Sequence, residues 1–331
     1  MSLPPVEIPL GAMRFNSDSQ KLEYWMGSAW MQIQTFSPTL DGGDRGLYGG
    51  GTSPGINLIE YITISTAGNA IDFGDRTVQR TEIASGSSNT RGIFWAGTRD
   101  PAGSTNVIDF VTIASTGDAL DFGDLPDNKK EVCGASNQTR ALCAGGGSGP
   151  ADLLHYITIA STGNSKEFGD LNFANNNITA TQNPTRAVFM DRESGTQTMD
   201  FITIASLGDA QEFGDTTDAR YGSTSMMCSS TRGVFAGGFS PGITNLIDFI
   251  TTATTGNAQN FGDLTQAGYM MCGCSSPVRG VIGARGIHPA GVVNTMDYIT
   301  IASTGDAVDF GDSTQARQAS AGCSNGHGGL G

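Results

Sequence analysis

One fifteen-residue phrase recurs six times along this chain, which restricts the fold to architectures built from stacked copies. It ends at Asp75 as YITISTAGNAIDFGD, at Asp124 as FVTIASTGDALDFGD and at Asp170 as YITIASTGNSKEFGD. It ends again at Asp215 as FITIASLGDAQEFGD, at Asp263 as FITTATTGNAQNFGD and at Asp312 as YITIASTGDAVDFGD. Successive copies are 49, 46, 45, 48 and 49 residues apart, the period range of solenoids and propellers. A shorter phrase keeps the same phase: Arg45-GLYGGG, Arg91-GIFWAG, Arg140-ALCAGG, Arg186-AVFMDR, Arg232-GVFAGG and Arg279-GVIGAR.

Each copy reads as four strands. The stretch after Arg alternates apolar and small residues, and the following stretch alternates aromatic or Ile with Thr or Ser, the period-two pattern of a half-buried strand. A tight turn follows at Asn69, Asp118, Asn164, Asp209, Asn257 and Asp306, residue types that tolerate a left-handed backbone. The third strand carries Phe73, Phe122, Phe168, Phe213, Phe261 and Phe310, expected in the layer between neighbouring sheets. The fourth is small and polar, as in Met226-MCSS, Met271-CGCSS and Ala319-SAGCS, the composition an innermost strand needs where copies crowd round an axis. That placement also accounts for most of the six cysteines, Cys133, Cys143, Cys228, Cys272, Cys274 and Cys323, which have no zinc-ribbon or CxxC spacing and read as reduced thiols.

The first copy starts at its Arg strand, and the chain ends on an inner strand, Gln318 to Cys323. The expected fold is therefore all-β: a six-bladed β-propeller over residues 45–331 whose last strand closes the first blade, so that only short sheet edges remain. The order of inner strand, Arg turn, Gly-Gly strand, aromatic-led strand and outer strand resembles kelch-type propellers, with the Phe of FGD standing where kelch repeats carry a Trp. The DFITIASTGDAxDFGDL wording is similar to repeats in structural proteins of tailed bacteriophages, marine ones especially.

Residues 1–44 lie outside the repeat and read as a β-meander, with turn clusters at Asn16 to Gln20 and Gly27-Ser28. Three strands with so few apolar residues need a docking surface. Gly11, Arg14, Phe15, Asn16, Lys21, Leu22, Glu23, Gly27, Ser28, Ala29 and Trp30 together resemble a short motif of phage tail-fibre and virion proteins. The resemblance implies a virion protein that attaches to other virion proteins, or forms homo-oligomers, through this segment, with Arg14, Phe15, Asn16, Glu23, Trp25 and Trp30 as the candidate attachment residues.

With 18 basic against 32 acidic residues and a net charge of −14, the chain repels phosphate backbones, so nucleic acid is not an expected partner. No run approaches a membrane span and no secretion signal precedes the repeat, so the expected chain is made in the host cytoplasm, without membrane insertion, and located in the virion. Forty-seven glycines with only 15% charged residues describe a turn-rich β protein. His155, His288 and His327 form no HExxH or Cys/His cluster, and read as structural. The FGD aspartates, beside Asp72, Asp121, Glu167, Glu212 and Asp309, lack a calcium-loop pattern and read as turn residues accepting backbone N–H groups. No catalytic residue, metal or cofactor is expected. The repeated arginines are expected to contact the Asn or Asp of the Thr-Gly-Asn turn.

Antiparallel order places the near-constant loops at one end of the sheets and the varying ones at the other. The loops Thr52-SPGIN, Thr98-RDPAGSTN, Gly147-SGPADL, Asp191-RESGTQT, Phe239-SPGITN and Arg285-GIHPAGVVN differ in every copy, which suits an asymmetric recognition surface. Thr52, Asn57, Arg99, Asp100, Asp152, Arg192, Glu193, Phe239, Arg285 and His288 are its candidate residues. The loops supply few aromatics for sugar stacking. The expected function is a non-enzymatic phage structural protein, a fibre, knob or appendage presenting a face to a host-surface receptor, a glycan or a virion protein; a capsid or tail decoration protein is the close variant. A polysaccharide hydrolase or lyase would need acidic, Tyr or His side chains in the central pocket, where the inner strands supply Ser, Gly, Ala and Cys. A cellular kelch-type adaptor is the third class, and the amino-terminal resemblance speaks against it.

Overall fold

The computed structural model describes residues 8–16, 21–32, 44–51, 55–148, 151–191, 197–222, 227–239, 241–289 and 291–330. The protein is all-β, and the 3-10 turn Gly328–Leu330 is the one helical element among the described residues. None of these residues forms a helix long and apolar enough to cross a membrane. Contacts divide the chain into two units, Met1–Gly43 and Asp44–Gly331.

In the larger unit every copy forms an antiparallel four-stranded sheet, ordered inner strand, Arg strand, aromatic strand, outer strand. The second sheet, for example, comprises Ala84–Ser87, Arg91–Trp95, Gly103–Thr112 and Leu120–Lys129. The first sheet draws its inner strand, Ala321–Ser324, from the far end of the chain, paired to Arg45–Gly49 with Ala321 opposite Gly49. The sheets are numbered below by their Arg strands, first at Arg45 and sixth at Arg279.

The FGD phrase repeats because each copy carries the same bulge. In all six sheets the register between aromatic and outer strands slips by one, as between Ile59↔Gly74 and Glu60↔Asp72. The skipped residue is the Phe, and such a bulge re-aims a side chain. Phe73, Phe122, Phe168, Phe213, Phe261 and Phe310 are all buried. Each meets the Tyr or Phe of its own aromatic strand edge-to-face at 5.8–6.1 Å, a geometry the ring quadrupole favours. The glycine after it has no room for a side chain: at Gly123 a Cβ would lie 2.5 Å from the Gly163 carbonyl oxygen of the next sheet, and φ is +147°.

Consecutive sheets are joined by three repeated contacts. The main-chain N–H of each FGD aspartate donates to the side-chain oxygen of the turn Asn or Asp in the next sheet, from Asp75 to Asp118 at 2.9 Å through to Asp312 to Asn69 at 3.0 Å. The repeated Arg lies 4.4–4.8 Å over the aromatic ring of its own sheet, and donates to a backbone carbonyl of the next, from Arg45 to Ile113 at 3.0 Å through to Arg279 to Ile64 at 3.0 Å. Third, each inner strand lies against the next, and the last against the first.

Two expectations are corrected here. The arginines reach main-chain carbonyls instead of the turn side chains, because those side chains already accept the FGD amides. The FGD aspartate acts through its backbone N–H as donor, not through its carboxylate as acceptor.

The inner strands are small because they touch. Ser85 Oγ donates to the Gly322 carbonyl at 2.7 Å and Ser87 Oγ to that of Ser324 at 2.7 Å, and a Cβ at Gly134 would stand 1.9 Å from the Ser85 carbonyl oxygen. All six cysteines are buried free thiols. Five lie on inner strands and Cys143 on an Arg strand. Burial pushes Cys143, Cys272 and Cys323 to about 12, so they pack as small apolar groups.

The smaller unit is a three-stranded antiparallel sheet, Met13–Asn16, Lys21–Trp25 and Trp30–Gln32. Its motif residues close on one another. Glu23, buried, accepts from Arg14 Nε at 2.9 Å and Asn16 Nδ2 at 3.0 Å, and these two hold its carboxyl below the usual range. Arg14 lies over Trp30 at 4.2 Å, and Trp30 packs on Trp25 with centroids 5.4 Å apart. Phe15 is 65% exposed and Met13 61%.

Candidate functional site

The varying end of the sheets contains a second repeat that its residue types disguise. Each aromatic strand carries a buried acid or His at the same position: Glu60, Asp109, His155, Asp200, Asp248 and Asp297. Five residues after each FGD aspartate come Arg80, Lys129, Asn175, Arg220, Gly268 and Arg317. Arg80 pairs with Asp109, Arg220 with Asp248 at 2.9 Å, and Arg317 with Glu60, all buried. A buried carboxylate demands such a partner. Where position 268 is Gly, the cation comes from another loop: Arg285 is fully buried, pairs with Asp297, and passes where a Gly268 side chain would stand. Arg285 is therefore corrected from a binding-face candidate to a core ion pair. In the third sheet the acid is replaced by His155, with Lys129 donating to the Gly145 carbonyl. In the fourth, Asp200 accepts from Asn172 N at 2.8 Å and Nδ2 at 2.9 Å, and burial pushes its carboxyl up.

A groove of about 560 Å³ borders Asp200, lined also by Asn172, Phe173, Thr198, Gln211 and Glu212. Asp200 and Glu212 are register partners, but so are Glu60 and Asp72, Asp109 and Asp121, and Asp297 and Asp309. The carboxylate pair is thus a property of the repeat and assigns no chemistry to this groove.

Seven residues after the FGD aspartate the backbone turns left-handed in every copy: Glu82, Glu131, Asn177, Gly222, Met270 and Ala319 have φ between 49° and 67°. Their main chains link in sequence, with Glu131 N donating to Glu82 O, Asn177 N to Glu131 O, Met270 N to Gly222 O, Ala319 N to Met270 O and Glu82 N to Ala319 O. The opening they surround holds about 60 Å³, room for water and too little for a pocket-bound ligand.

At the opposite ends of the inner strands the terminal residues pack against several of them. His327, 1% exposed, lies 3.1 Å from the Ser87 carbonyl, 3.4 Å from Ser136 Oγ and 3.3 Å from Gln182 Nε2. Burial pushes it down to about 4. It stands in sequence where a seventh Arg would fall, and in space it lies against the inner strands of the second, third and fourth sheets.

The varying end also gathers rings. Phe239, half-buried, has Tyr221 at 5.5 Å, Tyr269 at 5.8 Å and the exposed His288 at 6.0 Å between ring centroids. The four residues come from four different loops. Backbone bridges fix three of them, Tyr221 paired with Phe239 and Tyr269 with Gly286. The expectation of few stacking aromatics on this end is corrected: the tyrosines lie in the outer-to-inner connections, six residues after the FGD aspartates, where the other copies carry Thr81, Lys130, Asn176 and Gln318. That contrast between copies was the available signal.

Of the remaining candidates, Asn57, Arg99 and Asp100 are exposed and Asp152 is half-buried. The carbonyls of Asn57 and Asp152 accept from Arg76 N and Leu171 N at 2.8 Å each, which anchors their loops to the outer strands. Thr52, Arg192 and Glu193 lie outside the described residues. Among the described residues no group of three or more His, Cys, Asp or Glu is placed to hold a metal ion. No protein-family model matches the chain, and no curated protein matches its sequence.

Proposed function

We infer that the six sheets are blades of a closed, kelch-like six-bladed propeller, and that the chain is a non-enzymatic structural protein of a bacteriophage virion, a fibre, knob or appendage component. The propeller reading is supported by hydrogen bonds that pass from each sheet to the next and from the sixth to the first. The binding reading rests on one observation: the copies are alike where sheets contact one another and unlike at the opposite loops, where four rings collect. A scaffold that serves recognition divides its surface in this way. The meander is the proposed attachment segment, since its polar motif residues are satisfied within the unit while Met13 and Phe15 are exposed.

Cryo-electron microscopy of assembled particles tests the assignment. The expected result is this chain as an external component held through residues 1–44. Its absence from every particle, or turnover of a polysaccharide by the purified protein, overturns the reading.

A further inference from the structure

The ring cluster differs from the rest of the surface in a way that selects a ligand. We propose that Tyr221, Phe239, Tyr269 and His288 form a binding site for a neutral saccharide; this deepens, and rests on, the reading of the varying end as the recognition face.

The first argument is the departure from the repeat. At the position of Tyr221 and Tyr269 the other copies place Thr, Lys, Asn or Gln, and those blades are built as well as these, so the tyrosines answer no need of the fold. The second is geometry. Phe239 is the hub, with the planes of Tyr221, Tyr269 and His288 inclined to it by 42°, 60° and 81°. Rings held at such angles present faces and edges together. Tyr221 N–H donates to the Phe239 carbonyl at 3.3 Å, and the Tyr221 carbonyl accepts from Phe239 N–H at 2.9 Å; Tyr269 exchanges the same pair with Gly286 at 3.1 and 3.0 Å. The backbone is thus fixed before any ligand arrives, which lowers the ordering cost of binding.

The third argument is chemistry. The cluster carries two phenol hydroxyls and an imidazole, and the Gln318 amide lies near Tyr269, since a Cβ at Gly286 would meet Gln318 Oε1 at 2.0 Å and Tyr269 Cε1 at 2.9 Å. Ring faces for C–H groups with donors and acceptors at their edges match a pyranose, which offers apolar faces and a hydroxyl perimeter. An apolar protein partner fits less well: among the described residues of the six sheets, the exposed aliphatic side chains Ile71, Leu120, Leu207, Val278 and Val308 all lie on connections or strand starts at the other end. Among the described residues, the cations next to the cluster in sequence, Arg220 and Arg285, are buried in pairs with Asp248 and Asp297. With a net charge of −14, nothing favours an acidic sugar, so the assignment is to neutral hexose or N-acetylhexosamine residues.

The test uses the full chain on an array carrying neutral hexose and N-acetylhexosamine oligosaccharides beside sialylated and sulfated ones, followed by titration of the retained oligosaccharide. The informative variant is Tyr221→Thr with Tyr269→Gln, which takes its residues from the equivalent positions 81 and 318 of the same chain and so keeps the local backbone. Retention of neutral oligosaccharides, insensitive to salt, with affinity lowered roughly tenfold or more in the double variant and thermal unfolding unchanged, is the expected result. Retention of acidic glycans alone, of none, or equal affinity in the double variant overturns the proposal. The outcome separates from the virion reading: a chain absent from particles that binds neutral sugars loses that reading and keeps the site, and a particle component that binds none does the reverse.

Discussion

The inter-sheet joints and the loops at the varying end are made of the same six copies, yet they obey different rules. At the joints the same atoms meet six times: an FGD amide on a turn oxygen and an Arg on a carbonyl. At the varying end the same need, a cation for a buried acid, is met by Arg80, Arg220 and Arg317 from one loop and by Arg285 from another. A joint has two sides that must change together, so it stays constant; a loop that only has to deliver a charge can do so from either direction. The lesson is that physical necessity in a repeat protein can be conserved where sequence is not.

The most severe way to break the comparison is to remove the joint that uses both ends of the chain. Deleting Gln318 to Gly331 takes away the inner strand paired with Arg45–Gly49 and, with it, His327. The expected loss is on the order of 5 kcal/mol or more, comparable to the whole stability of a domain, seen as loss of cooperative thermal unfolding by circular dichroism. A deletion variant melting like the intact chain would show that the first sheet does not depend on its partner from the other end, and the proposed ring closure would fail with it.

The buried pairs test the other half of the comparison. Arg220→Met leaves Asp248 buried without its cation, and should cost about 3–5 kcal/mol in urea unfolding. Adding Asp248→Leu should recover most of that loss, because the pair meets a charge requirement and an apolar pair of similar volume has none. If the double variant were as unstable as the single, the site would be held by shape, and the freedom of Arg285 to replace a missing partner would need another cause.

These pairs mark where the sequence stops being legible. Strand order, the inner position of small residues, the packing Phe and the terminal strand all follow from periodicity, since each recurs at fixed phase. The roles within the phrase did not follow. Whether an Asp uses its carboxylate or its amide depends on the bulge at Phe73 and its equivalents, which no composition encodes. The ring cluster was hidden for a different reason: Tyr221, Phe239, Tyr269 and His288 are spread over 68 residues and become neighbours only when the fifth and sixth sheets pack. Arg285 misled because a loop residue of charged type reads as exposed until its acid is found.

His327 sharpens the comparison at the centre, where the chain end meets several inner strands at once. The folded site holds its imidazole near 4, against 6.5 ordinarily, so between these values the unfolded chain binds a proton that the folded chain refuses. Its contribution is complete above about pH 6.5 and is lost as pH falls toward 4, by about 3 kcal/mol at most. Urea unfolding of the intact chain and of His327→Gln from pH 4 to 8 should show their difference shrinking on acidification. A constant difference would mean the ring titrates normally and is reached by solvent.

The smallest effect separates a joint from a loop most directly. Asn164 Oδ1 accepts the Asp124 amide at 3.1 Å at an exposed position, so Asn164→Ala should cost about 1 kcal/mol, the ordinary net value of one hydrogen bond. Arg99→Ala, exposed on a varying loop, should stay within about 0.5 kcal/mol. Both side chains are polar and on the surface, and neither fills core volume, so a difference between them isolates the joint. Equal costs would mean that the repeated oxygen contributes nothing beyond a solvated turn, and that the constancy of the joint rests on its Arg, glycine and Phe.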